Sequence, residues 1–267
     1  METIALIAGN GIYPETFVTA ARKAGVQKLV VAGFENETKP ELMNQVDAHA
    51  WFRVGQLSKM ITFFQKEGVK HAVMVGQIAP KNLFDLRPDL RTLMMMAKLK
   101  RRNAETLFGG IADELKKDGI ELLPATTFLE EAMPKAGYVA GPKVKARRFE
   151  DAAYGFEIAK ASSKLDIGQT VVVKNGTVLA VEAFEGTNEA IKRGGSLGRG
   201  GATMVKVSKP SQDMRFDVPV VGPDTIRTAA AAGVDVIAVE AGMTLLLGVD
   251  EVYRLCDELK VTLLGVE

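Results

Sequence analysis

Along the first half of the chain, short apolar runs rich in Val, Ile and Ala alternate with stretches whose apolar positions return every three or four residues. The first pattern suits strands buried on both faces, and the second suits helices with one buried face. Strands are predicted over Ile4–Ala8, Lys28–Gly33, Ala48–Phe52, Ala72–Val75 and Ile120–Leu123, and helices over Pro14–Ala24, Leu57–Glu67 and Ala104–Lys117. Pro14 fits the first position of its helix, where a missing N–H costs nothing, and Gly25, Gly68 and Gly119 each follow a helix end. This alternation is the grammar of βαβ units, so a Rossmann-like parallel sheet is expected.

The pattern breaks at "MPKAGYVAGPKVKARR" (133–148), which is basic, Pro/Gly-bearing and without periodicity. It reads as a linker over 134–146 between a domain at 1–133 and a second, distinct α/β domain at 147–267. In the second half, a helix is predicted over Phe149–Ser162. The Asn175-Gly176 pair between two apolar runs then signals a type I′ hairpin. The glycines of 194–201 predict a loop that closes over a ligand. Beyond it come a strand–helix–strand unit in "VGPDTIRTAAAAGVDVIAVEAG" and a final helix and strand over Leu245–Glu267.

Composition narrows the functional classes. A formal charge of +1 gives no bulk basic field, so nucleic-acid binding is not expected. The single cysteine, Cys256, rules out an intrachain disulfide and a cysteine-rich zinc site, and reads as a core thiol. "METIALIAGNGIYPE" lacks the features of a signal peptide, and no eighteen-residue apolar run occurs. A cytoplasmic protein is expected, with contact at a membrane surface left open.

Chemistry is concentrated at strand ends. "AGNGIYPE" (8–15) follows the first strand, and Gly9 and Gly11 let backbone approach a ligand at a helix N-terminus. Pro14 replaces the third glycine of a dinucleotide fingerprint, so a phosphate-bearing ligand fits better than NAD, and a ligand-free turn fits equally. Gln77 and Lys81, in "MVGQIAPKNLF" (74–84), would face the same crevice unless that segment is a simple turn. "LRTLMMMAKLKRR" (90–102) suits a core helix with a solvated basic end, or one that meets a membrane or an acyl chain. His49 and His71 lack metal-ligand spacing, and no GxSxG, HExxH or P-loop pattern occurs.

In the second half, Glu182 and Glu185 end an apolar run ahead of Gly186-Thr187, with Lys192 and Arg193 behind them. "KVSKPSQDMRFDVPVVGPDT" (206–225) adds Lys206, Lys209, Asp213, Arg215, Asp217 and Asp224. Carboxylates among Lys and Arg suit Mg²⁺ with a phosphate ligand, and they equally suit a surface salt-bridge network.

Four segments carry a resemblance over essentially the whole chain: "IALIAGNGIYP", "LDIGQTVVVKNGTVLAVEAFEGTNEAI", "KPSQDMRFDVPVVGPDTI" and "AAAGVDVIAVEAG". They resemble the LpxI-type UDP-2,3-diacylglucosamine pyrophosphatases. The resemblance implies Mg²⁺-dependent hydrolysis of UDP-2,3-diacylglucosamine to UMP and lipid X in lipid A synthesis, with the lipid held between the domains, and Leu93–Met96 as an expected lining. It puts the family's essential aspartate on Asp217 and the E-G-T turn on Glu185, Gly186 and Thr187. Where other members carry an acidic pattern before a helix, this chain has Asn103, Ala104 and Glu105.

Asp217 and Glu185 are therefore expected to hold metal or activate water. Lys209, a catalytic candidate, and Arg193 would offset phosphate charge, and Gly9, Gly11 and Gln77 would shape the nucleotide side. A homo-oligomer is expected. Two rivals remain: a non-catalytic nucleotide-sugar or lipid-binding protein, which would bind without cleaving phosphate bonds, and a nicotinamide-dependent oxidoreductase, which the incomplete glycine fingerprint weakens.

Overall fold

The computed structural model describes residues 2–78, 88–99, 104–210 and 212–267. The chain forms two compact units. Unit 1 is Met1–Leu129 together with Asp213–Asp217, and unit 2 is Glu130–Gln212 with Val218–Glu267.

Unit 1 is built on strands β1 (Thr3–Ala8), β2 (Lys28–Phe34), β3 (Ala48–Phe52), β4 (His71–Val75) and β5 (Glu121–Leu122). They pair in parallel in the order β3-β2-β1-β4-β5. The apolar runs are continuous because this sheet is buried on both faces, and Ile4, Leu6, Leu29 and Val73 are fully enclosed. The helices are α1 (Tyr13–Lys23), α2 (Leu57–Lys66), α3 (Leu90–Lys98) and α4 (Ala104–Lys117). Helix α1 has proline in its first turn, Glu15 near the start and Arg22 and Lys23 near the end, which matches the helix dipole. Asp89 holds two helices at once. It accepts from Thr92 N at 2.9 Å to cap α3 and from Ser58 N at 2.6 Å in the first turn of α2. Arg91 then ties α3 to α4 through Glu114 at 2.7 Å and Asp118 at 2.5 Å.

Unit 2 contains β6 (Gly137–Ala140), α5 (Ala146–Lys164), β7 (Thr170–Lys174), β8 (Thr177–Val181), α6 (Thr187–Gly198), β9 (Ala202–Lys206), β10 (Val220–Val221), α7 (Pro223–Ala232), β11 (Val234–Glu240), β12 (Leu245–Leu246), α8 (Val249–Leu259) and β13 (Thr262–Val266). Its sheet runs β6-β13-β11-β9-β7-β8, with β10 and β12 forming a separate pair. Strands β9, β11 and β13 are parallel, and antiparallel strands flank them on both sides. The hairpin turn has Asn175 at φ 54° and Gly176 at φ 73°, as a type I′ turn requires. Cys256 is buried, and burial pushes its thiol up to about 12, consistent with a core residue.

Two expectations are corrected. The 194–201 segment is not a closing loop, because Gly194, Gly195 and Gly198 belong to α6 and are buried. A Cβ on Gly194 would lie 2.5 Å from Val172 Cβ, and one on Gly195 would lie 2.2 Å from the Ala232 carbonyl. These glycines let α6 press against the sheet and α7, a reason no local pattern discloses. The stretch read as a linker also contains β6, whose four residues are too few to show alternation and which pairs antiparallel with β13. Among the described residues, no helix is long and apolar enough to cross a membrane.

Candidate functional site

In unit 1 the strand order reverses between β1 and β4, since the chain leaves β1 toward β2 and β3 while β5 lies beyond β4. Loops after strands at such a point flank the usual ligand crevice of an open α/β sheet. Here the two loops are joined directly: Gly9 N donates to Val75 O at 2.8 Å, Asn10 N to Gln77 O at 2.7 Å and Gln77 N to Asn10 O at 3.1 Å. This approach needs glycine. A Cβ on Gly9 would fall 2.5 Å from Gln77 O, and one on Gly76 would fall 2.7 Å from Asn10 O. Gly11, at φ +95°, borders open space just before α1, whose N-terminus carries no side-chain cap. Gly9, Gly11 and Gln77 are thus brought together, with their own N–H groups spent within the turn (Gly11 N donates to Asn10 Oδ1 at 2.7 Å), so an anion here would meet the first turn of α1. Lys81 and Asn103 lie outside the described residues.

Beneath these loops is a cavity of about 80 Å³, walled by Met60 and Met74, by Met95 and Met96 of α3, and by Phe108 and Ile111 of α4. Ile7, two residues before Gly9, and Ile78, directly after Gln77, complete the side toward the loops. Leu93 and Met94 are instead exposed. The Met-rich helix therefore supplies one inner face, and of Leu93–Met96 only Met95 and Met96 line the cavity, beside Thr92 of the same helix.

Asp217 belongs to unit 1, although its place in the sequence predicts the second domain. It ends a turn in which Phe216 N and Asp217 N donate to Asp213 O at 3.2 and 2.9 Å, while Met214 O accepts from Ala125 N at 2.8 Å. The Arg215 fork meets both oxygens of Asp213 and holds that carboxyl below the usual range. Phe216 packs its ring 5.8 Å from that of Phe108, in the cavity wall. Asp217 is thus the immediate neighbour of a residue anchored on the unit 1 core.

The remaining predicted residues lie in unit 2. Glu185 is exposed and accepts from Arg193 Nη2 at 2.5 Å and from Ala183 N at 3.1 Å. The Arg193 hydrogen bond holds its carboxyl below the ordinary range. Gly186, at φ 83°, precedes α6, and Thr187 opens it. Thr187 Oγ1 donates to Glu182 Oε1 at 2.8 Å and accepts from Lys206 Nζ at 3.0 Å. Glu182 is buried and braces the turn, as its position before the turn suggests. Lys209 is paired with Asp166 at 3.0 Å. The structure therefore groups Glu185, Gly186, Thr187 and Arg193, gives Lys209 its own partner, and assigns Asp217 to the other unit.

One network was invisible in the sequence. Lys160 Nζ donates to both Glu240 oxygens at 2.9 and 3.0 Å, and Ser208 donates to Glu240 Oε2 through N at 2.6 Å and Oγ at 2.7 Å. Its members are far apart in sequence, and no spacing signals them.

Among the described residues, no group of three or more His, Cys, Asp or Glu is placed to hold a metal ion. Mg²⁺ is commonly held by one or two carboxylates plus substrate phosphates. Asp217 and Glu185 belong to no such group, so an ion meeting either of them would arrive on a phosphate rather than in a protein cage.

A family model described as the LpxI N-terminal domain matches residues 3–132, and one described as the LpxI C-terminal domain matches residues 135–264. The UDP-2,3-diacylglucosamine pyrophosphatase LpxI of Caulobacter vibrioides is 30% identical over 278 residues, spanning 100% of this chain and 98% of its own. Among solved structures, the biotin carboxylase subunit of pyruvate carboxylase matches 64% of this chain and 35% of its own at 14% identity and TM-score 0.28. A biotin carboxylase from Campylobacter jejuni matches 74% and 42% at 12% identity and TM-score 0.29. This chain spans less than half of either carboxylase, and likeness at those scores carries no argument.

Proposed function

Because the chain belongs to the LpxI family along nearly its whole length, we propose that it hydrolyses the diphosphate bond of UDP-2,3-diacylglucosamine, giving UMP and the diacylglucosamine 1-phosphate, lipid X, in lipid A biosynthesis. The observation that carries this reading is end-to-end similarity to a pyrophosphatase of that name. In the reaction, a water oxygen bonds to one phosphorus and the bridging oxygen leaves with the other. Asp217, fixed by the Asp213 turn, is the carboxylate that takes the water's proton. The Gly9–Gly11 backbone and Gln77 orient the nucleotide, with the N–H groups at the start of α1 facing phosphate. Arg193 and Lys209 offset phosphate charge after exchanging their present carboxylate partners for phosphate oxygens. Asp217 and Glu185 would be protein carboxylates for a Mg²⁺ carried on the diphosphate, which would neutralise phosphate charge and make bound water more acidic. An acylated substrate also calls for peripheral contact with the inner-membrane surface.

The test incubates purified protein with UDP-2,3-diacylglucosamine, with and without Mg²⁺, and measures UMP, alongside calorimetric titration of Mg²⁺ in the presence of UMP. UMP release that needs Mg²⁺ is expected. Tight substrate binding with no UMP would instead favour a non-catalytic binding protein.

A further inference from the structure

Building on that reaction, we propose that the unit 1 cavity receives the terminal carbons of one acyl chain and so sets which chain lengths are turned over. Its lining is almost wholly aliphatic, aromatic and thioether, and the amide oxygen of Gln56, also on the wall, already accepts from Arg53 N at 3.1 Å. The one hydroxyl on its wall, that of Thr92, is already donated to Gly55 O at 2.7 Å. A cavity with so few polar partners does not hold water well, and hydrocarbon is the chemistry it accepts. At about 80 Å³ it is roughly half the size of a cavity that takes a benzene ring, about 150 Å³. It therefore suits the tip of a chain rather than its length.

Position supports the same occupant. Ile7 and Ile78 lie next to the Gly9 and Gln77 loops, and Phe108 stacks on Phe216 beside Asp217. A lipid whose phosphate meets those loops has its apolar part close to the cavity. The walls combine stiffness with give. Asp89 and Arg91 fix α3 against α2 and α4, while four methionines can change rotamer around an inserted chain. Each methylene buried there is worth about fourfold in affinity.

The experiment measures kcat/KM for UMP release from substrates with acyl chains of graded length, using wild type, Ile111→Trp to fill the cavity and Met96→Ala to enlarge it. Thermal melts verify that each is folded. Wild-type kcat/KM should rise about fourfold per added methylene up to a limit. Ile111→Trp should cut the long-to-short ratio about 16-fold, or roughly two methylenes, and Met96→Ala should move the optimum to longer chains. The same length profile in all three folded proteins would overturn the proposal. Calorimetry with diacylglucosamine 1-phosphates of graded length separates the two readings. Length-dependent binding that the variants shift, without UMP release, breaks the reaction and leaves the cavity standing. UMP release with length-independent binding breaks the cavity alone, and neither signal breaks both.

Discussion

The C-terminal ends of the parallel strands are furnished differently in the two units. In unit 1, β1 and β4 lead into Gly9 and Gly76, whose backbones touch, and into Gly11, which borders open space, with an apolar cavity nearby. In unit 2, β9 and β11 end in Lys206, Ser208 and Glu240, whose side chains are hydrogen-bonded to Thr187 and Lys160. Glycine serves opposite ends as well. At Gly11 it borders empty space, whereas at Gly194 and Gly195 it lets two elements close completely. The strand ends of unit 1 border open space, and those of unit 2 are closed by side-chain hydrogen bonds.

The largest effect expected concerns Asp217. Asp217→Asn should lower UMP release about 10³-fold, within the range for losing a positioned proton acceptor, with an unchanged melt. Near-normal turnover would break the assignment of chemistry to the unit 1 turn.

Gly195→Ala comes next and tests unit 2. With the new Cβ 2.2 Å from a backbone oxygen, overpacking should cost about 3 kcal/mol. That corresponds to roughly 6–12 °C in Tm for a protein of this size. An unchanged melt would show that α6 can shift freely.

Glu240→Gln should cost about 2 kcal/mol, because it leaves a mostly enclosed ammonium short of its charge partner. Burial alone would raise the Glu240 carboxyl, but hydrogen bonds from Lys160 and Ser208 outweigh it and hold the carboxyl low. Its contribution is therefore complete above the ordinary carboxylate range and is lost as pH falls through the lowered value. Chemical denaturation at graded pH should show wild type losing that advantage over the variant on acidification.

The smallest effect is expected for Asp89→Ala, which removes a shared cap and should cost about 1 kcal/mol. Burial raises the Asp89 carboxyl, yet the N–H groups of Thr92 and Ser58 outweigh burial and hold it low, so this support too fades on acidification. Hydrogen exchange in α3 should speed up ahead of exchange in β1.

Much of this contrast was legible in the chain. The predicted helix at Ala104–Lys117 and strand at Ala48–Phe52 match residue for residue, because periodicity and flanking glycines are local signals. The Asn175-Gly176 turn was legible for the same reason. Gly194 and Gly195 misled, since glycine in sequence signals freedom and only Val172 and Ala232 reveal crowding. The four residues of β6 gave no period to read. At the site, the meeting of the Gly9 and Gln77 loops followed from strand order. The cavity draws residues from Ile7 to Ile111, and the docking of Phe216 on Phe108 spans more than a hundred positions, so neither leaves a local trace.

The excursion of Asp213–Asp217 into unit 1 has a consequence for how the protein is made. Domains emerging from the ribosome generally fold in order, N-terminal first. Here the first unit lacks its Met214 hydrogen bond and its Phe216 ring until most of the second has been translated. A gene cut after Leu129 would therefore yield an N-terminal product missing one of its own pieces, and unit 1 would be completed late in synthesis.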